Sequence, residues 1–557
     1  MHFSRTVTAW RAIAVTFLFT ALLAPLCHAK DQASGASTAS AGDAIYRQGV
    51  LGSGEPLVAK REDGMRMQGA EAACVNCHQR SGFGSKEGRI AIPPITGRYL
   101  FHPRAPSGED LDLPFVEGMR SDRDPYTDAT LARAIREGLD AQGKPLNYLM
   151  PHYALNDADM AALIGYLKSL NQRKPPGVTD TVLHFATIIT PDADPVKRQG
   201  MLDVLERYFA DKNAVSLAPT PRLRSSRKVM FMVNRRWQLH VWQLTGPAET
   251  WQEQLKQYFS KEPVLAVVSG LGGNNWAPVH AFCEHAALPC LFPNVEAPPT
   301  GADRDFYSLY FSKGVLLEAG LIANGILRVL KQDGGKVAKE VEQIYRAGDS
   351  GESGARALTA ALEHEGITVR NQVLPANTPG QGVAKTLRQD STADALVLWL
   401  RPADVATLGT APPAPAAVFM SGLMGGLERT PLSSGWRGRT RLAYPFDLPE
   451  KRRTGVDYAF GWFRIRHIPV VAEQVQADTY LACGLLAETL SHMVDAFVPD
   501  YLVERVQDRL EHRIITGYYP HLTLASGQRF ASKGGYIVHF SEPQGTRVIA
   551  DDKWLVP

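Results

Sequence analysis

The chain is short of cysteine, of surplus charge and of long apolar runs. Lys and Arg number 60 against 57 Asp and Glu, a net charge of +3 with His neutral. So close a balance gives no support to nucleic-acid binding or to a polybasic membrane contact. After the first thirty residues no stretch stays apolar long enough to cross a bilayer, so no stable transmembrane segment is expected once the leader is removed. The composition, 45% apolar and 21% charged, carries no sign of disorder. What is present is length. At 557 residues the chain exceeds one ordinary domain, and two to four folding units are expected.

The amino terminus differs from the rest. Arg5 and Arg11 precede an apolar run from about Ala12 to Leu26, and Cys27-His28-Ala29 offers small residues at cleavage positions. Residues 1–29 read as a signal peptide, which places the mature chain in the periplasm. The run is too short, and too near Pro25, to make a good spanning helix. Leu26 stands where a lipobox before Cys27 wants Gly or Ala, which favours soluble export; an uncleaved anchor is the competing reading. Residues 30–41, small and polar, read as a flexible tether.

Five of the six cysteines follow the leader: Cys74, Cys77, Cys283, Cys290 and Cys483. The first two belong to Cys74-Val-Asn-Cys77-His78. Two thiols three positions apart on one helical turn can each add across a haem vinyl group, and the next residue then lies under the iron, where an imidazole can bind it. The same letters can be a redox dithiol or half a zinc site, but export and the lack of a second C-x-x-C count against both. One covalent haem c is expected. Cys283 and Cys290 are either a local disulfide or two buried thiols. Cys483, in an apolar helical run, reads as core.

Around this motif the segment 42–172 resembles the class I c-type cytochromes. Gly42, Tyr46 and Gly49 share one face of a first helix, the pattern by which that family docks its terminal helices. Pro94-Ile-Thr-Gly97 looks like the loop whose carbonyl accepts the proximal imidazole N–H. Leu131 to Leu139 matches the penultimate helix, and Met150-Pro151 stands ahead of a final helix beginning at Asn156 or Asp157. The resemblance implies an all-α domain in which His78 and Met150 ligate the iron, with His152 as the rival to Met150. Met160 lies within the final helix and reads as packing; Met119 lies in a polar loop. With both axial positions filled, electron transfer is expected rather than oxygen or peroxide chemistry.

A proline-containing linker, 173–180, separates this domain from residues 181–557. There short apolar strands alternate with amphipathic helices: Val182–Ile189, then a helix from Pro195 to Lys212 with Val196, Leu202, Leu205 and Phe209 apolar, then strands at 263–269, 393–400 and 417–421. Such alternation argues an α/β fold with parallel sheets. The run Val264 to Pro298, with Phe306–Phe311 and Gly517-Tyr-Tyr-Pro520, resembles the type I periplasmic binding proteins, the branched-chain amino-acid and amide receptors. That implies two lobes. Ligands of open α/β sheets sit beyond the carboxyl ends of strands, where Ser269, Gly270, Asn274, Asn275 and Asn294 fall. A plain strand-to-helix turn explains the same residues. Gly270-Leu-Gly-Gly lacks the spacing of a dinucleotide fingerprint.

The expected protein is therefore a periplasmic mono-haem electron carrier, not an enzyme. Its second domain would bind a small molecule such as an amino acid or amide, or dock a redox partner protein. A sensor signalling to a membrane partner and a haem-dependent oxidoreductase are the alternatives.

Overall fold

The computed structural model describes residues 41–87, 90–101, 124–172, 174–217, 235–300, 305–332, 340–376, 380, 382–387, 393–410, 417–493, 496–525 and 527–557. The expected leader with Cys27, the expected tether before residue 41, and Met119 lie outside them. The chain divides into two compact units. One is drawn from Met1–Asn76 and Tyr126–Ser169, the other from Cys77–Pro125 and Leu170–Pro557.

In the first unit a helix over residues 41–48 packs on the helix Asp157–Ser169. The face expected from Gly42 and Tyr46 makes this contact. A Cβ on Gly42 would lie 2.6 Å from Tyr166 Cβ, so only glycine admits the approach. The rings of Tyr46 and Tyr166 meet at 5.3 Å, and Arg47 Nε donates to the Tyr166 hydroxyl at 3.1 Å. The helix Asp128–Glu137 starts at a capping box of Thr127 and Thr130 and stops at Gly138, whose φ of 71° suits a left-handed cap. Asn156 begins the last helix as expected, accepting the Asp159 N–H at 2.8 Å. Met160 is buried within it.

The all-helical expectation for this region needs correction. Val58–Lys60 pairs antiparallel with Arg66–Gln68 on one side and His152–Tyr153 on the other, and Ser85–Glu87 pairs with Ile90–Ile92. These two- and three-residue ladders lie in the stretches between helices, where chain reversals satisfy their backbone groups by pairing. Short pairs of this kind leave no period-two run in the sequence.

The second unit is built on two sheets. The first has five strands, all parallel, in the order Ser308–Leu309, Cys290–Leu291, Ala266–Val268, Val182–Ile189, Arg236–Gln243. Val182–Ile189 comes first in the chain and lies inside the sheet, so connections leave it in both directions. The crevice at its carboxyl end is a topological switch point. The second sheet runs Thr368–Leu374, Glu340–Arg346, Ala395–Trp399, Ala417–Ser421, Thr440–Tyr444 in parallel, then adds Tyr536–Phe540 and Val548–Ala550 antiparallel. Near-continuous apolar strands such as Ala395–Trp399, buried throughout, reflect helices on both faces.

The helix Pro195–Leu217 extends beyond the expected Lys212. Leu205 and Phe209 face the core, but Val196 is 52% exposed, because it stands in the first turn, ahead of the packed face. The chain crosses to the second lobe before Val315–Gln332, which packs on the second sheet, and returns: Tyr480, on the helix Glu473–Ser491, meets Tyr208 at 5.9 Å. Each lobe is thus assembled from separated stretches of sequence. No helix among the described residues is long and apolar enough to cross a membrane.

Candidate functional site

The C-x-x-C-H segment is shaped by tight local turns. A 3-10 helix, Gly69–Ala72, precedes it, and the Asn76 side-chain amide donates to the carbonyls of Ala70 at 2.8 Å and Glu71 at 3.1 Å. The short helix Val75–His78 then carries Cys77 and His78. Both Cys74 and Cys77 are partly exposed, whereas His78 is buried. Gln79 takes φ 62°, ending the helix, and the Ser85 hydroxyl donates to the Cys77 carbonyl at 2.9 Å.

His78 Nδ1 lies 3.1 Å from the Pro93 carbonyl. A carbonyl only accepts, so Nδ1 carries the proton and Nε2 keeps its lone pair. No described residue hydrogen-bonds to Nε2. Burial lowers the imidazole pKa to about 4, against the raising effect of the Pro93 bond, so the ring is neutral at pH 7. A neutral, buried imidazole fixed at one nitrogen suits a metal at the other. The accepting carbonyl belongs to Pro93, one residue ahead of the expected Pro94–Gly97 loop. The hairpin Ser85–Glu87 and Ile90–Ile92 returns it to His78. Gly84, at φ 77°, permits this: a Cβ there would come within 2.9 Å of the Pro93 oxygen.

Beyond His78 the chain is anchored to the helix Pro499–Glu511. The Ser81 N–H donates to Glu504 Oε1 at 2.9 Å and the Ser81 hydroxyl to Oε2 at 2.5 Å. Phe83 and Tyr501 rings meet at 4.7 Å, and the Arg80 guanidinium lies 4.2 Å from the centre of the Phe306 ring. Nothing in the sequence signalled this anchor.

Met150, in the first unit, is partly buried in a turn where its N–H donates to the Asn147 carbonyl at 2.9 Å. His152 is held in the strand that pairs with Val58–Lys60. Its ring covers Gly138, where a Cβ would come within 3.0 Å of Cδ2. The rival histidine thus lies against Gly138.

At the switch point of the five-stranded sheet the expected turn residues divide. Ser269 is buried at φ 49°; its hydroxyl bonds Thr479 Oγ1 at 2.7 Å and accepts from Asn294 Nδ2 at 3.0 Å. Gly270 packs against the Trp276 ring, 2.6 Å from where a Cβ would stand. Asn275 accepts the Ala277 N–H at 3.1 Å, at the start of the helix Ala277–His285. Asn274 and Asn294 instead line a cavity of about 690 Å³ bordered by both lobes.

An ion network crosses this cavity. Glu296 takes Lys197 at 2.9 Å and both terminal nitrogens of Arg401, at 2.9 and 2.5 Å; Arg401 also meets Asp349 at 3.0 and 2.6 Å. Burial would raise the Glu296 pKa, but the charges of Lys197 and Arg401 hold it far below the usual carboxylate range. Sequence reasoning missed these residues, although Glu296 lies two positions after Asn294 and Arg401 directly follows an expected strand. Asp478, on the helix Glu473–Ser491, carried no signal beyond being a carboxylate in a buried helix. Elsewhere, Cys283 and Cys290 are buried thiols in hydrogen-bond contact, and Cys483 is core.

Residues 67–171, which include Cys74, Cys77, His78 and Met150, match the family model described as Cytochrome c. No curated protein matches the chain by sequence. Among solved structures it is similar to a fatty acid ABC transporter substrate-binding protein from Thermomonospora curvata: 14% identity, TM-score 0.47, covering 69% of this chain and 95% of that one. A substrate-binding periplasmic protein from Ralstonia solanacearum has 15% identity and a TM-score of 0.48, covering 66% and 100%. The branched-chain amino acid transporter substrate-binding protein of Streptococcus pneumoniae, solved with isoleucine, has 11% identity and a TM-score of 0.48, covering 68% and 100%. The chain joins a cytochrome c segment to a two-lobed α/β domain.

Proposed function

We propose that this protein is a periplasmic mono-haem electron carrier whose α/β domain, residues 181–557, binds a small molecule or docks a redox partner. The domain limits 42–172 and 173–180 belong to the same reading. Cys74 and Cys77 would supply thioether links, and His78 Nε2 and Met150 would hold the iron. When bound, the haem supplies a metal centre that gains and loses one electron. The chain does the rest. Pro93 orients the imidazole and raises its basicity. Burial keeps the ring neutral and limits solvent, and Gly84 lets the two approach.

The observation that carries this reading is His78 itself, buried, tied at Nδ1 and open at Nε2, one residue beyond the paired thiols. The packing of His152 on Gly138 favours Met150 as the second ligand. If His78 and Met150 both held the iron, a substrate would find no place there, which supports electron transfer over catalysis at the haem. The test is purification from a host with haem-attachment machinery. A chain heavier than its polypeptide by one haem, with a thioether-to-iron band in the near infrared when oxidised, is the expected result. A colourless chain of polypeptide mass rules the reading out.

A further inference from the structure

We infer that the α/β domain is latched shut by its own side chains: three ion pairs, each with one partner on either lobe, hold the lobes together without help from a bound molecule. Neither the haem nor the identity of any ligand enters this device, so it goes beyond the proposed function and stands or falls separately from it.

A two-lobed domain closes about its hinge when contacts made only in the closed form outweigh the freedom lost. Here such contacts are built in. Glu296 follows the strand Cys290–Leu291 of the first sheet, and Arg401 follows Ala395–Trp399 of the second; they meet through two bonds, at 2.9 and 2.5 Å. The helices Pro449–Ile465 and Glu473–Ser491 belong to the first lobe, where Trp462 Nε1 donates to Asp211 at 3.1 Å and Tyr480 meets Tyr208, both on Pro195–Leu217. From these helices Arg452 reaches Glu428 at 2.9 Å and Glu473 reaches Arg429 at 3.0 Å. Glu428 and Arg429 stand in the short helix Leu427–Arg429, which follows Ala417–Ser421 of the second sheet.

The signs alternate. The first lobe offers carboxylate, guanidinium and carboxylate, and the second offers the complement, a pattern that fixes register. Each half is also set by its own lobe. Lys197 holds Glu296 at 2.9 Å, and Asp349 holds Arg401 at 3.0 and 2.6 Å. The Tyr444 hydroxyl donates to Glu428 at 2.8 Å, and the Arg452 guanidinium lies 4.6 Å from the centre of the Tyr518 ring. Side chains held before they meet lose less freedom on meeting. Arg452 and Glu428 are 9% and 17% exposed, and Arg401 and Glu296 30% and 22%, so salt screens these two pairs weakly; Arg429, 70% exposed, adds least.

Pulsed electron resonance tests this on the full-length protein, with nitroxides at Val196→Cys on the first lobe and Val373→Cys on the second, both exposed positions. The sample is dialysed until mass spectrometry finds no small molecule bound. A single short label-to-label distance is expected. Arg401→Met and Glu428→Gln together cut two of the three pairs; they should add a longer distance and lower the ratio of closed to open molecules about tenfold or more. Long or widely spread distances in the parent protein would overturn the latch, and that measurement needs no charge variant to fold. An unchanged single distance in the double variant, shown to be folded by a cooperative thermal transition, would overturn it as well.

Discussion

His78 and Met150 differ in how much of their role is written locally. Imidazole orientation depends on Pro93, fifteen positions on, and on a glycine that can take φ 77°. Met150 depends on an Asn147 turn and on His152 being occupied elsewhere. On the proposed ligation, replacing Met150 by Ala would take the thioether from the iron of the haem-loaded protein. The near-infrared band should vanish, and the reduction potential should fall as water or another donor replaces a ligand that favours Fe(II). Redox titration with spectroscopy checks both. An unchanged spectrum would point to another methionine or to His152.

At the scale of elements, the helix Pro499–Glu511 does more than cover a sheet. Glu504 accepts two hydrogen bonds from Ser81, three residues after the proposed ligand. Burial raises its pKa to about 8, the Ser81 bonds opposing, so it is largely protonated at neutral pH. Glu504→Ala leaves the buried Ser81 N–H without an acceptor, which costs about 1–3 kcal/mol. Glu504→Gln keeps a carbonyl in that place and should be close to neutral. Thermal denaturation of the two variants separates lost hydrogen bonding from lost charge: Ala well below Gln is the expected order, and equal losses would refute it.

For the molecule as a whole, three buried carboxyl groups set the alkaline limit. Burial pushes Glu318 and Glu504 to about 8 and Asp478 to about 7, in each case against hydrogen bonds that lower it. Each binds its proton more tightly folded than unfolded, where the values are 4.5, 4.5 and 3.8. Their contribution is complete below about pH 4 and is lost as pH rises through 7 to 8. Glu296 acts oppositely, its contribution being present above 4.5 and lost in acid. The melting temperature should therefore fall between about pH 5 and pH 8 and level off above that, and Glu318→Gln should flatten the fall. A flat profile in the parent protein would mean these carboxyls are solvated.

Amino-acid order was enough to mark the segment that matches the Cytochrome c model, because C-x-x-C-H needs only one helical turn and the chemistry it implies is local. It was enough, too, for the alternation of Val182–Ile189 with Pro195–Leu217 and for the packing face of Gly42 and Tyr46, since hydrophobic period and small residues speak through near neighbours. The two-residue strand at His152, the choice of Pro93 over the following loop, and the Glu504 anchor needed the folded chain. They join positions up to 423 residues apart, where no spacing rule reaches. The cleft was decided the same way. Whether Asn274 can meet a ligand depends on Asp192 already holding its N–H, and the charge left in the cleft depends on how Glu296 pairs with Lys197 and Arg401. Such sums of charge and distance exist only once the two lobes have closed around the same space.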